Sequence, residues 1–295
     1  MALQLTELVD LLEGIVGSIS DSISWGGLVL GLVAAALAIA VLMAVVLAIS
    51  VRTSNFSVID TFWGLGFVVV AVVTYLLSIG SGDGGRRLIA LLVPAIWGLR
   101  LAGYIHWRNH GKPEDPRYTA LLRRRTGPLI PFVVKTIFWA QGWVMWVVAI
   151  PITVAMYTDY PVNGLTWFAV VLAAVGLFFE AVGDVQLARF KSDPANAGKI
   201  MDRGLWSWTR HPNYFGDLCV MFAFWLIACG TPLGVLTVFA PVLMTYMLLK
   251  KTGKRMLDRR MARTRGEAYV AYAARTSGLI PRPPRKNPRD AAGVS

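Results

Sequence analysis

Seven apolar runs constrain this chain more than any other feature of its sequence. A membrane span needs roughly 20 apolar residues in helical form. Runs of about that length lie at about 25–51, 58–80, 88–106, 129–156, 164–187, 213–229 and 232–250. They predict an all-α, polytopic integral membrane protein with about seven transmembrane helices. Composition agrees, since 56% of the 295 residues are hydrophobic, 16% are charged and the mean hydropathy is +0.56, outside the range of an ordinary soluble domain. The first run is too long and too far from the start for a signal peptide, so it is expected to be retained. Ahead of it, Leu5, Leu8, Leu12, Ile15 and Ile19 recur at helical spacing beside Glu7, Asp10 and Glu13, so residues 1–24 are expected to form an amphipathic surface helix. Residues 25–265 then form the membrane domain, and 266–295 a basic cytoplasmic tail. The tail ends in the Pro-rich "PRPPRKNPRDAAGVS", a composition expected to stay disordered.

The formal charge is +12, and its distribution points to a bilayer. With seven spans and the C-terminus inside, 25 of the 29 Lys and Arg residues fall in cytoplasmic segments. The positive-inside rule and anionic headgroups account for that bias without nucleic acid. Arg86 and Arg87 read as the ordinary beginning of the third span. Cys219 and Cys229 stand ten residues apart with no ligand spacing around them, so neither a disulfide nor a structural zinc is expected. His106 and His110 have no evident third ligand, so no metal site is expected.

Ionisable groups within spans are costly unless they face protein or a wet cavity. Here they are Asp60, Arg100, His106, Lys135, Glu180, Asp184 and Asp217, and the expected topology puts every one in the cytoplasmic half of its helix. A polar cavity open to the cytoplasm would gather them there. Glu180 and Asp184 are four residues apart and share a helix face, so they need cations or hydroxyls as partners. Arg189, Lys191 and Arg210 are close in sequence. The stretch "GLWSWTRHPNYFGDL" at 204–218 places Pro212 where a helix begins, because proline has no amide hydrogen to leave unpaired. A helix N-terminus flanked by Arg210 and His211 suits a phosphate, and Asn213 can fix an amide or a ribose edge. Trp206 and Trp208 are expected as anchors at the membrane interface.

These residues carry a resemblance. "RHPNYFGD" after "GLWSWT", preceded by "EAVGDVQLARFKSD" and followed by "RGEAYVAYAARTSGLIPRPP", resembles the C-terminal region of the steroid 5-alpha-reductase family, most closely its bacterial membrane branch. "NFSVIDTFWGLGF" and "IWGLRLAGYIHWRNHGKPEDPRY" extend the likeness to about residues 55–286. The resemblance implies a membrane reductase in a bacterial inner membrane that uses NADPH to reduce a carbon–carbon double bond in a steroid-like or other lipid enone. It places the cofactor in a cytoplasm-facing cavity, with Arg100, Glu180, Asp184, Arg189, Lys191, Arg210, His211, Asn213, Tyr214 and Asp217 as contacts. At the position of the steroid enzymes' catalytic tyrosine this chain has Trp97, which cannot donate a proton as an acid. Asp60 matches the family's glutamate partner, and Glu180 stands at the position of an asparagine. The catalytic candidates are therefore Asp60, Tyr104 and an Asp60-linked tyrosine such as Tyr75.

Two other classes fit parts of the sequence. An Arg-His-Pro-x-Tyr motif before an apolar helix also occurs in membrane methyltransferases that use S-adenosylmethionine, and a non-catalytic lipid-binding or transport protein would share the apolar runs. The bilayer and a hydrophobic small molecule are the expected partners. The charge distribution places the N-terminus outside and the C-terminus in the cytoplasm. Reporter fusions after residues 82 and 160 should report the outside, and fusions after 120, 200 and 290 the cytoplasm; activity of an exported reporter at 120 or 290 would reverse the orientation.

Overall fold

The computed structural model describes residues 23–251 and 254–284. The expected N-terminal amphipathic helix lies almost wholly outside them, as does the chain beyond residue 284. Among the described residues the regular structure is helical: α1 Trp25–Thr53, α2 Ile59–Leu77, α3 Gly84–Asn109, α4 Pro116–Leu122, α5 Leu129–Met156, α6 Gly164–Ser192, α7 Pro212–Ala228, α8 Pro232–Leu249 and α9 Lys254–Arg275. Within these residues β pairing is confined to isolated bridges. Six helices, α1, α2 with its one-turn lead-in, α3, α5, α6 and α8, are long and apolar enough to cross a membrane, and α7 is a shorter apolar helix of 17 residues. This is the build of an integral membrane protein. In α1 the residues Leu28, Ala35, Ile39 and Val46 are buried, while Val29, Val33, Leu37 and Val41 face outward. A helix apolar on both faces has lipid, not water, on its outer side.

The chain divides into two compact units. The first comprises the residues up to Ala169 together with Phe224–Ala240, and the second comprises Val170–Ala223 and the chain from Pro241. In the first unit, α2 packs closely on α3 because Gly64 and Gly98 meet with no side chain between them; a Cβ on either would overlap the other's carbonyl oxygen. Small residues allow this approach of helix backbones in lipid. Trp97 is buried against Phe67 and Phe224, at ring separations of 5.3 and 5.8 Å. Its size is thus used for packing.

Arg86 is more than the beginning of a span. It is 1% exposed and donates from Nε to the Tyr160 carbonyl at 2.7 Å, from Nη2 to that of Pro161 at 2.9 Å and from Nη1 to that of Ile227. Ile227 lies at the end of α7, where helix carbonyls lack intrahelical partners. A single guanidinium supplies the donors that water would give a soluble helix.

In the second unit α6 and α7 cross where Gly176 and Gly216 touch backbone to backbone, and Glu180 Cγ fills the space beside Gly216. One turn lower, Gly183 lies against Pro212. The helix α9 bends at Gly266 (φ 53°, ψ −135°), a conformation that only glycine adopts readily. It therefore runs on to Arg275, across the boundary expected at 265/266. The segment that follows is also packed, since Arg210 N donates to Ser277 O at 2.9 Å and Arg282 N to Trp208 O at 3.1 Å. Replacing Gly216 by Ala would force a methyl group into the Gly176 carbonyl, a clash of backbone with backbone. We expect a loss of at least about 2 kcal/mol, read as a lower melting temperature in detergent, whereas Gly103→Ala, with open space around the added carbon, should melt like the wild type.

Candidate functional site

In the second unit, the segment from Trp206 to Pro212 is fixed from both sides. The Trp206 indole donates to Gly183 O at 2.9 Å, and its own carbonyl accepts the Tyr272 hydroxyl at 2.5 Å. Trp206 is therefore a clamp between α6 and α9, a correction to its expected part as an interfacial anchor; Trp208 is 46% exposed. Thr209 accepts from His211 N at 3.2 Å and donates to Leu279 O at 2.8 Å. His211 O then receives Phe215 N at 3.0 Å, and α7 starts at Pro212 as its sequence predicts.

Asp258 of α9 meets this segment. Its Oδ1 lies 3.0 Å from His211 Nε2 and accepts the Tyr269 hydroxyl, while Oδ2 lies 3.4 Å from Arg210 Nη2 and 3.3 Å from Lys254 Nζ. Burial acts to raise the Asp258 carboxyl, but hydrogen bonds from His211 and Tyr269, with the charges of His211 and Arg210, outweigh it and hold the group well below the usual carboxylate range. Burial, with the hydrogen bond and charge of Asp258, pushes the Tyr269 phenol above its ordinary value. Arg210 also donates from Nη1 to Ala273 O at 2.8 Å and Thr276 O at 3.2 Å. The side chains of Arg210 and His211, which flank the anion site expected at the start of α7, thus meet a carboxylate of the same chain.

Beside this cluster lies a cavity of about 600 Å³, walled by the end of α6, the loop of residues 193–201 and one face of α9. Its lining carries five Lys or Arg side chains, Lys191, Lys199, Arg210, Arg260 and Arg265, against one carboxylate, Asp193. Asp193 is occupied in shaping the loop, accepting from Ala195 N at 2.9 Å and Asn196 Nδ2 at 3.2 Å. The Nε of Arg210 is buried without a hydrogen-bond partner.

The expected contacts are dispersed around this cavity. Lys191, Arg210 and His211 line it. Glu180 and Asp184 are buried in α6, at 2% and 6% exposure, and neither lines the cavity. Asn213 and Asp217 lie in the first turns of α7, with Asn213 Oδ1 accepting Tyr214 N at 3.1 Å, and the Tyr214 ring stacks on His211 at 5.2 Å. Arg189 is exposed on α6 and is not part of the lining.

Arg100, Tyr104, Asp60 and Tyr75 belong to the first unit. The Arg100 and Arg108 guanidiniums lie 5.4 and 5.7 Å from the Tyr104 ring centre. Asp60, in the first turn of α2, accepts from Tyr118 Oη at 2.6 Å and Arg117 Nη2 at 2.7 Å. Tyr75 lies 15 residues further along the same helix, roughly 22 Å away at the helical rise, with Arg87 over its ring at 4.9 Å. The Asp60-linked tyrosine is therefore Tyr118 and not Tyr75. Gln141 Nε2 donates to the same phenol at 3.2 Å. Burial and the adjacent Asp60 push Tyr118 above its ordinary value, so the phenol keeps its proton at neutral pH. Both oxygens of Asp60 are engaged in joining α2 to α4.

Asp258, Tyr269, Tyr272 and Tyr118 escaped the sequence reading. One signal was available for Asp258, because it is the only acid between Asp217 and Glu267. Its neighbours in space, as in sequence, are basic side chains.

The family described as "Protein of unknown function (DUF1295)" matches residues 46–276, most of the chain. The chain belongs to that family, which lies within the steroid 5-alpha-reductase-like superfamily. It is also similar to the uncharacterized protein C594.04c of Schizosaccharomyces pombe, with 23% identity over 263 residues that cover 79% of this chain and 75% of that protein. No solved structure gives a significant match.

A carboxyl whose pKa is lower in the folded than in the unfolded state contributes stability that is complete above its unfolded value, about 3.9. That contribution is lost as pH falls toward the folded value. Asp258→Asn should therefore cost roughly 2 kcal/mol at neutral pH. In thermal melts, the gap between wild type and variant should be present above about pH 4 and narrow progressively as pH falls below it. A gap that does not depend on pH would show that the charge of Asp258 is immaterial.

Proposed function

We propose that the protein is a membrane reductase that uses NADPH to saturate a carbon–carbon double bond conjugated to a carbonyl in a hydrophobic substrate, with its cofactor cavity facing the cytoplasm. The observation that carries this proposal is the lining of the cavity in the second unit, where five cationic side chains outnumber one carboxylate. NADPH bears three phosphate groups, and charge-assisted hydrogen bonds from Arg and Lys are the strong contacts available to such groups. Phe190, Trp206 and Met261 provide apolar and aromatic lining for a base or nicotinamide ring. The residues present therefore fit this cofactor.

Bound in the cavity, NADPH would supply a hydride. The chain would bind and orient it: the loop of residues 193–201 and α9 supply the cations, while Trp206, tied to Gly183 and Tyr272, holds one wall in place. Asp258 keeps Arg210 and His211 in fixed positions against α9. An S-adenosylmethionine-dependent methyltransferase fits less well, because a sulfonium cation gains nothing from a cationic wall.

Titration of the purified protein in detergent with NADPH, NADH and S-adenosylmethionine, followed by thermal shift, tests the proposal. NADPH should bind tightest and stabilise by about 2.7 kcal/mol when present at about 100 times its Kd, with affinity falling as salt rises. Binding of S-adenosylmethionine without NADPH would transfer the chain to the methyltransferases, and binding of none would favour a non-catalytic role.

A further inference from the structure

Six of the basic side chains around the cavity form two sets. The inner set, Arg210, His211 and Lys254, converges on Asp258 at 3.0 to 3.4 Å. Arg210 in addition holds two backbone carbonyls near the end of α9. An anion arriving there would have to displace a hydrogen-bonded carboxylate, and breaking such a pair leaves charge poorly compensated. The outer set is Lys199, Arg260 and Arg265. All three are exposed and line the cavity, and none pairs with a carboxylate among the described residues. Arg265 Nη1 donates to Gly198 O at 2.8 Å, a neutral partner that leaves its charge uncompensated and ties the loop to α9 beside Lys199.

We infer that Lys199, Arg260 and Arg265 form a phosphate-monoester subsite at the rim of the cavity. The inference deepens the proposed function and rests on it for the identity of the ligand, since NADPH differs from NADH by one such monoester. A dianionic monoester gains most where several cations lie together with no carboxylate to displace. Lys199 and Arg260 make no side-chain hydrogen bond or ion pair within the fold among the described residues, so they are free to turn toward a ligand. A lipid carrying a phosphate monoester has the same chemistry, and it is the other source of this group in a membrane.

The test uses full-length protein in detergent and the double variant Lys199→Ala/Arg260→Ala, which should melt like the wild type when unliganded because neither side chain holds the fold. Binding of NADPH, NADH, inorganic phosphate and dioctanoyl phosphatidate is measured for both proteins. NADPH affinity should fall at least about tenfold in the variant while NADH affinity changes little, and the salt dependence of NADPH binding should flatten. If the wild type binds NADPH and the variant binds it equally well, the subsite is overturned and the reductase proposal stands. Should the wild type bind phosphatidate or inorganic phosphate but no nucleotide, with that binding lost in the variant, the subsite stands with a lipid source and the NADPH reading falls. Binding of none of the four by the wild type overturns both.

Discussion

The second unit depends on one carboxylate. Asp258 receives His211 and Arg210 from the segment before α7, and Lys254 and Tyr269 from the two arms of α9 on either side of its bend. Without that negative charge, the three basic side chains would repel one another across a partly buried space. With it between them they form one cluster that fastens a short, irregular segment to a bent helix. The cavity lies beside this cluster, and Lys199, Arg260 and Arg265 in its lining are basic side chains that the cluster leaves unused.

Lipid shapes the rest. Helices in hydrocarbon gain little from apolar contact alone, since the tails are as apolar as their side chains. Close packing therefore falls to glycines that let backbones touch, at Gly64 and Gly98 in the first unit and at Gly176 and Gly216 in the second. Polar backbone groups at helix ends need donors from the protein itself. The Arg86 guanidinium, enclosed by three carbonyls, meets that need in the first unit, and Arg210 does the same for the end of α9.

The spans were legible because the bilayer imposes length and apolarity directly on the sequence, and Pro212 marked the beginning of α7 because proline suits the first turn of a helix. Side-chain partnerships were not legible. Asp258 and His211 are 47 residues apart, and nothing in local spacing says that a basic helix will return to the doorstep of α7. Trp206 read as an interfacial anchor because a tryptophan beside a span usually is one; its indole instead meets a carbonyl on α6. Asp60 was legible as an expensive charge, but its tyrosine was not, because α4 is a seven-residue helix with no apolar periodicity to announce it. The lining of the cavity shows the same division. Arg210 and His211 were found from their proximity to α7 and Lys191 from its closeness in sequence to Glu180 and Asp184, whereas Lys199, Arg260 and Arg265 come from a loop and a helix that only the fold brings together.

The bend at Gly266 has a stereochemical consequence. Its angles, φ 53° and ψ −135°, are the mirror image of the extended polyproline conformation that ordinary residues favour. The space around the missing side chain is open, so handedness, not crowding, reserves the position for glycine. A residue of opposite chirality would therefore be at ease there. D-alanine introduced by chemical ligation would meet the native angles without strain and would restrict the unfolded chain, which is the route by which replacing a glycine stabilises a fold. L-alanine at the same place would pull the two arms of α9 out of the alignment that lets one carboxylate reach both.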